Sequence, residues 1–191
     1  MAGGSKPLPE EFNQKVILEV SDEYKLFQAA RSSYDIGDLQ SFHVQHTFPI
    51  VVGGMFEEIF REVEIRSTKP EMAFETQPPD VPAIFEVLLL DMTHDNLHDT
   101  ALYYESEISV ALALKSPRGN VFWQKGFVGY GKADADLEHN TGYGPQKAIN
   151  YAVEDMLYQM KEAIINSPEV RVQLRHYREA DLARRRGEVQ V

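Results

Sequence analysis

The sequence predicts an α+β fold, in which an antiparallel or mixed β-sheet carries amphipathic helices on one face and a helical extension follows. Three observations lead to this class. Two alternating apolar stretches around a turn predict a long antiparallel hairpin over residues 102–131. Apolar residues at helical spacing predict helices both before and after that hairpin. The 191 residues are 43% hydrophobic, which is enough for one sizeable core.

The chain is acidic and contains no cysteine. A formal net charge of -11 repels nucleic-acid phosphates and anionic lipids, so neither is an expected partner. With no cysteine, disulfides and thiolate chemistry are excluded. The longest apolar runs, such as residues 87–90, fall far short of the roughly 20 residues that cross a bilayer. We predict no cofactor.

Three parts are expected along the chain: a flexible leader over residues 1–14, a single α+β domain over residues 15–166, and a helical extension over residues 167–191. The leader has no charged segment followed by an apolar one, so we expect no export signal in it. Such a beginning fits a native start, and it also fits a segment that follows a signal peptide or a lipid-attachment cysteine.

The first half predicts three strands and one helix. Residues 15–20 are apolar and β-branched, residues 41–47 alternate, and residues 63–67 form a third short strand. Residues 22–33 fit either a helical turn or irregular structure. A helix opening near Pro49 carries an apolar stripe. The stripe consists of Val52, Met55, Phe56, Ile59, Phe60 and Val63.

Gly53 and Gly54 lie inside that stripe, where each weakens a helix by about 1 kcal/mol relative to alanine. We interpret them as the place where the helix packs closely on the sheet, because a phosphate-binding loop needs wider glycine spacing and a following lysine.

The polar, proline-rich residues 68–82 then predict a surface loop suited to interaction. Residues 83–92 are mostly apolar and predict a strand covered on both faces.

The hairpin and two helices complete the fold. Residues 102–114 alternate, residues 116–120 contain the proline and glycine of a turn, and the chain returns from residue 121. Its aromatic residues Tyr103, Tyr104, Phe122 and Trp123 predict cross-strand pairing. An apolar stripe predicts a helix from residue 145, and Ser167 with Pro168 begins another that runs to about residue 186.

The densest group of candidate metal ligands is Asp91, His94, Asp95, His98 and Asp99. On a helix, His94 and His98 would face one metal, with an acid after the first histidine as in H-E-x-x-H zinc hydrolases. Aspartate replaces that glutamate, however, and the segment links two predicted strands. We therefore interpret it as an acidic loop, assign no metal site, and keep a metal-dependent hydrolase as the alternative hypothesis.

Other polar groups give no catalytic assignment. His43 and His46 would point to opposite faces of a predicted strand. Glu105 and Glu107 share a strand face and could form a carboxylate pair, although such residues are typical of the wet side of a sheet. The chain has no G-x-S-x-G turn for a nucleophilic serine. We predict no catalytic residue.

The C-terminal extension is basic, with six arginines against four acids in residues 167–191. These arginines are Arg171, Arg175, Arg178, Arg184, Arg185 and Arg186. The pattern is typical of a solvated helix. On an acidic body it also favours a second copy of the chain as a partner.

Three segments carry a family resemblance: FPIVVGGMFEEIFREVEI, the hairpin ISVALALKSPRGNVFWQKGFVGYGKA, and the helix GPQKAINYAVEDMLYQMKEAI. Together they resemble the mature domains of small bacterial outer-membrane lipoproteins, of the YajG-like and transport- or LPS-assembly-type auxiliary kinds, over residues 16–168. The resemblance implies a periplasmic, lipid-anchored scaffold component without catalysis. It also implies that the lipidated cysteine lies outside this sequence.

Three hypotheses of function follow. The first is a non-catalytic interaction domain of the cell envelope that uses the loop of residues 68–82, the sheet edges or the C-terminal helix. The second is the hydrolase with His94 and His98. The third is a small-molecule binding module with a pocket between helix and sheet.

Overall fold

The computed structural model of the chain describes residues 8–21, 38–68, 83–96, 103–116, 118–134 and 143–186. A short 3-10 helix, Glu10–Phe12, precedes five strands and three longer helices. In chain order these are β1 (Lys15–Ser21), α1 (Asp38–Glu57), β2 (Glu62–Thr68), β3 (Ile84–Asn96), β4 (Tyr103–Lys115), β5 (Val121–Asp134), α2 (Tyr143–Asn166) and α3 (Pro168–Arg185).

The five strands form one mixed sheet in the order β2-β1-β3-β4-β5. β1 runs parallel to both β2 and β3, whereas β4 runs antiparallel to both β3 and β5. Parallel strands need a long crossover connection, and α1 lies in the one between β1 and β2. The predicted α+β class and the predicted hairpin are both confirmed.

One face of the sheet forms the main core with the helices. Because side chains alternate along a strand, the register neighbours Leu18, Phe85 and Leu114 point to the same face. There they join Phe56 of α1 and Met156 of α2 in one buried apolar cluster. The rings of Phe56 and Phe85 meet edge to face with centroids 5.1 Å apart. The helices therefore pack on one face, as predicted.

The prediction of a strand over residues 41–47 is wrong. These residues belong to α1, which begins at Asp38 and continues through Pro49 to Glu57. Alternation over so short a stretch does not exclude a helix. Pro49, expected in the first turn, instead lies inside the helix, where it removes one backbone hydrogen bond.

The interpretation of close packing is correct for Gly53 and wrong for Gly54, where a Cβ would meet no atom within 4 Å. A Cβ on Gly53 would lie 2.5 Å from Cδ1 of Ile65 in β2, which confirms that α1 packs closely on the sheet there. Gly119 has a φ of +82°, and its N–H donates to the carbonyl of Ser116 at 2.8 Å. The predicted turn of the hairpin is thereby confirmed.

Some predicted segments fall outside the described residues. Residues 22–33 do so entirely, and the predicted loop of residues 68–82 does so except for Thr68, the last residue of β2. Among the helices in the described part of the chain, none contains a stretch long and apolar enough to cross a membrane.

Helix α2 lies directly on β5 at two glycines. A Cβ on Gly129 would lie 2.0 Å from the carbonyl oxygen of Ala152, and one on Gly131 would lie 1.9 Å from that of Ala148. Neither distance is compatible with any side chain unless the helix backbone moves. The alternation of Gly129, Gly131 and the buried Ala133 on the helix-facing side is thus what allows α2 to approach.

The N-terminal 3-10 helix packs on α3. Phe12 is buried in the main core, and Gln14 Nε2 donates to the carbonyl of Leu174 at 3.1 Å. Glu11 accepts from Arg171 Nε at 2.7 Å. Burial by itself would raise the pKa of Glu11, but hydrogen bonds, chiefly from Arg171, hold that pKa below its usual value. The division into leader, domain and extension remains a proposal.

Alanine substitution at two glycines of β5 should separate close packing from strand propensity. Gly129→Ala should lower the free energy of unfolding by about 3 kcal/mol, because the new Cβ would overlap the α2 backbone. Gly126→Ala is the matched control, since a Cβ there meets no atom within 4 Å. We expect it to change stability by less than about 0.5 kcal/mol. Urea unfolding of both variants measures this, and equal losses would contradict the packing.

Removing the cation beside Glu11 should destabilise the protein in a pH-dependent way. Arg171→Ala leaves the carboxylate of Glu11, which is 7% exposed, without its partner. We expect the free energy of unfolding to fall by about 1–2 kcal/mol at pH 7. The value should be near the lower end of this range, because Arg171 is itself 40% exposed and water screens the ion pair. A carboxyl group whose pKa is lowered on folding stabilises the protein at pH values above its ordinary pKa of 4.5. The stability difference between the variant and the original protein should therefore disappear as the pH falls through the lowered pKa of Glu11.

The matched control for that measurement is Arg178→Ala. Arg178 pairs with Glu10 at 2.7 Å, but the Glu10 side chain is 82% exposed. Urea unfolding at pH 7 and in acid should show little change in this variant. A loss as large and as pH-dependent as that of Arg171→Ala would show that burial of Glu11 is not the cause.

Candidate functional site

The outer edge of β5 ends the sheet, and α2 covers only its second half. The N–H of Tyr130 donates to Asp155 Oδ2 at 3.0 Å, and Gln159 Nε2 donates to the carbonyl of Val128 at 2.9 Å. Gln159 Nε2 also donates to Asp155 Oδ2 at 3.0 Å, which ties the two helix side chains together. Side chains of α2 therefore bond one outward backbone group of each of these two residues.

The first half of the same edge is open. In an antiparallel strand the backbone groups of every second residue point outward, so Gln124 and Gly126 present theirs on the same side as Val128 and Tyr130. Within the part of the chain that the structure describes, the outward groups of Gln124 and Gly126 have no hydrogen-bond partner. Both residues are exposed. This stretch of β5 can accept another strand.

A cleft of about 560 Å³ lies beside this open edge, between β5 and the junction of α2 and α3. Its aromatic side chains are Trp123 and Phe127 from β5 and Tyr158 from α2. Tyr158 is 66% exposed, although it lies next to the other two in the cleft. Its polar side chains are Lys125, Gln159, Glu162, Asn166, Ser167 and Glu169. We call this site the β5 cleft.

The helix junction brings two carboxylates to the β5 cleft. Ser167 caps α3, since its Oγ accepts from the N–H of Val170 at 3.2 Å, and Pro168 opens the helix as predicted. The backbone N–H of Glu169 and the Ser167 hydroxyl donate to the Glu169 carboxylate and lower its pKa. Glu162 accepts from Asn166 at 2.9 Å. Both acids are thus bonded to neutral groups.

The aromatic residues of the hairpin do not pair across the strands, so that prediction is wrong. Tyr103 and Tyr104 lie opposite Asp134 and Ala133, at the end of the hairpin far from the turn. Trp123 lies opposite Leu114, beside the turn, and the ring of Phe122 meets that of Tyr177 in α3. The register of the hairpin places the two aromatic groups at opposite ends. This interpretation missed that Trp123 lines the β5 cleft.

The two glutamates of β4 have different surroundings. Glu105 accepts from the Tyr130 hydroxyl and pairs with Lys132 at 3.3 Å, and both contacts lower its pKa. The same hydrogen bond raises the pKa of Tyr130 to about 12. Glu107 is exposed. Glu105 is held as a carboxylate, which makes it unsuited to donate a proton near neutral pH.

The candidate metal ligands are not brought together in the described residues. Asp91, His94 and Asp95 lie in β3, which runs to Asn96, so the interpretation of these residues as a loop is wrong. The helix that H-E-x-x-H chemistry requires is absent at that position as well. His98 and Asp99 lie outside the described residues. Within those residues, no three histidine or acidic side chains are grouped closely enough to hold a metal ion. His43 and His46 belong to α1, not to a strand.

A carboxylate pair that the sequence analysis missed lies on the opposite face of the sheet. Glu19 and Glu86 are register neighbours on β1 and β3, and Glu86 forms an ion pair with Lys115. Burial and then the Glu86 charge raise the pKa of Glu19, against the smaller effects of Lys115 and Arg66. A single acid inside each of the apolar runs KVILEV and AIFEVLLL was the available signal.

Two arginines of the C-terminal helix form ion pairs within the chain. Arg171 and Arg178 pair with Glu11 and Glu10 of the 3-10 helix. Arg175 and Arg186 are exposed. A contact between copies through this helix therefore remains a proposal, with fewer unpaired charges than the sequence indicated.

No protein-family model matches the chain, and no curated protein does. Solved structures with a related arrangement include a minor lipoprotein from Acinetobacter baumannii, with 12% identity over 83% of this chain and 92% of that one, at a TM-score of 0.45. The PelC dodecamer from Paraburkholderia phytofirmans has 12% identity, coverage of 85% and 95%, and a TM-score of 0.46. The rare lipoprotein B from Shewanella oneidensis has 14% identity, coverage of 88% and 98%, and a TM-score of 0.35. Values this low establish neither a family nor a function for the chain.

The acid pair on the opposite face gives a pH-dependent prediction. Because the folded state raises the pKa of Glu19, it binds that proton more tightly than the unfolded state, and ionisation above the raised pKa destabilises the fold. Glu19→Gln should therefore be more stable than the original protein at pH 7. The advantage should shrink as the pH falls toward the ordinary value of 4.5 and vanish below it. Thermal unfolding across this range measures the difference, and a constant advantage at every pH would contradict the role of ionisation.

Proposed function

We propose that the chain is a non-catalytic protein-binding domain, and that it takes an extended segment of a partner protein as an additional strand on β5. One observation carries the proposal: the outward backbone groups of Gln124 and Gly126 have no partner in the described residues, while the carbonyl of Val128 and the N–H of Tyr130 are bonded by α2. Strand addition to an exposed sheet edge uses such groups for affinity and adjacent pockets for specificity. The β5 cleft supplies the pocket.

The geometry limits what the segment can be. Asp155 and Gln159 occupy the edge at Tyr130 and Val128, so an added strand must lie along the earlier residues of β5. Every second side chain of that strand would face the cleft, and the others would continue the opposite face of the sheet. A helix or a folded loop could not pair with both Gln124 and Gly126. The site therefore favours a short, extended peptide.

The place of action belongs to the same proposal. In line with the family resemblance of its sequence, the domain would work in the bacterial periplasm, anchored to the outer membrane by a lipid and assisting an assembly or transport complex. The native gene start tests this part independently of binding. A signal peptide that ends in a cysteine just before this segment is expected, and a leaderless cytosolic start would overturn the location.

Binding can be tested without knowing the partner. A display library of short random peptides is selected on the protein, and the enriched peptides are titrated by fluorescence of Trp123, the only tryptophan in the chain. Gly126→Pro removes an outward N–H that the β4 ladder does not use, so the fold should persist while peptide binding weakens at least about tenfold. Circular dichroism and urea unfolding check the fold.

Gly126→Ala is the conservative variant in this experiment. It keeps the N–H and adds a methyl group to open space, so it separates loss of the donor from mere replacement of glycine. Peptides that bind the alanine variant but not the proline variant support strand addition. Peptides that bind both equally, or a selection that enriches none, would overturn it.

A further inference from the structure

The β5 cleft has a direction, because α2 runs antiparallel to β5. Ala148 lies at Gly131, Ala152 at Gly129, and the later residue Gln159 reaches back to Val128. Residues further along α2 therefore lie toward the start of β5. Glu162 follows Gln159 along α2, and both Glu162 and Glu169 of α3 line the cleft together with Trp123. The acidic end of the cleft is thus the Trp123 end.

The chain itself does not neutralise this acidic end. Lys125, the cation that lines the β5 cleft, lies over the ring of Phe127 with Nζ 5.5 Å from the centroid. Among the ion pairs of the described residues, none joins Lys125 to Glu162 or Glu169. Asn166 and Ser167 bond the two carboxylates as neutral donors. Within the described part of the chain, Glu162 and Glu169 therefore have no ion-pair partner.

We infer that the segment bound at the β5 edge carries a lysine or arginine, whose cation enters the β5 cleft opposite Trp123. This rests on the proposed strand addition and specifies its partner as a basic, extended segment. Indole and phenol rings attract a cation over their faces, and Trp123 and Tyr158 offer both. Carboxylates supply the opposite charge. The net charge of -11 favours the approach of a basic segment over an acidic one.

The arrangement also predicts where a second basic residue is excluded. The next cleft-facing position of the added strand lies two residues away, beside Lys125. A cation there would meet a like charge. The preferred segment therefore has lysine or arginine at one cleft-facing position and an uncharged or acidic residue at the neighbouring one.

The same peptide selection tests the inference. Peptides whose binding depends on Gly126 should be enriched in lysine or arginine at one position. Replacing that residue with norleucine should weaken binding to the original protein. Glu162→Gln and Glu169→Gln should each weaken binding of the basic peptide by about threefold to tenfold, and higher salt should weaken it further. Binding of the norleucine peptide should respond to neither substitution.

The matched control is Glu154→Gln, which removes the same charge from an exposed position of α2 that does not line the cleft. Equal weakening by Glu154→Gln would show that net charge alone attracts the peptide, and it would overturn the cleft assignment. Peptides that depend on Gly126 but lack a basic residue would overturn the inference and leave strand addition intact. Peptides indifferent to Gly126→Pro would overturn both.

A second copy of the chain is the competing occupant, and sedimentation equilibrium of the protein alone distinguishes it. We expect the original protein and Gly126→Pro to have the same molecular mass in solution. Self-association of the original protein that is lost in Gly126→Pro would show that the edge binds another copy, and it would overturn the basic partner.

Discussion

The close approach of α2 to β5 at Gly129 and Gly131 is the contact on which the functional face of the molecule depends. With no side chains in the way, the backbone of the helix comes within reach of the strand. Met156 can then enter the main core, and Asp155 and Gln159, one turn apart, reach the outer edge of the strand. The contact of α2 with β5 therefore contributes to the core and also places the side chains that hydrogen-bond to part of the sheet edge.

The same contact explains why the other part of the edge remains open. Because a strand twists and a helix is straight, α2 cannot follow β5 along its whole length. It contacts the second half of β5 and separates from the first half. The glycine positions on the helix-facing side lie in the second half of β5, and the first half carries Trp123, Lys125 and Phe127 there instead. These larger side chains hold the helix away. The β5 cleft is the space that results.

The sequence allowed the hairpin, its glycine turn and the start of α3 to be predicted, because each depends on neighbouring residues. Alternation defines β4, Gly119 supplies the positive φ, and Ser167 with Pro168 marks a helix start. The prediction of a strand over residues 41–47 was wrong because a short apolar alternation does not distinguish a strand from part of a longer helix.

The β5 cleft could not be predicted in this way. It depends on the distance between β5 and α2, and on Glu162 and Glu169, which lie far from Trp123 in the sequence, lining the same cleft as Trp123. A partial signal was present, since Gly129, Gly131 and Ala133 alternate with larger residues and indicate a close neighbour on one face. It locates the contact on the strand but not the helix that makes it.

An open sheet edge is a hazard, because it can pair with any extended chain, including another copy of the same protein. Charge is one means of limiting that pairing. At the far edge of the sheet, Lys15, Glu62, Glu64 and Arg66 form an array of ion pairs on β1 and β2. At β5, Lys125 and the two glutamates of the cleft place charges beside the open stretch. Copies that each carry a net charge of -11 repel one another, whereas a basic segment does not meet that barrier. The charges that limit pairing of this edge with another copy of the protein are therefore the same charges that select its partner in the proposed binding mode.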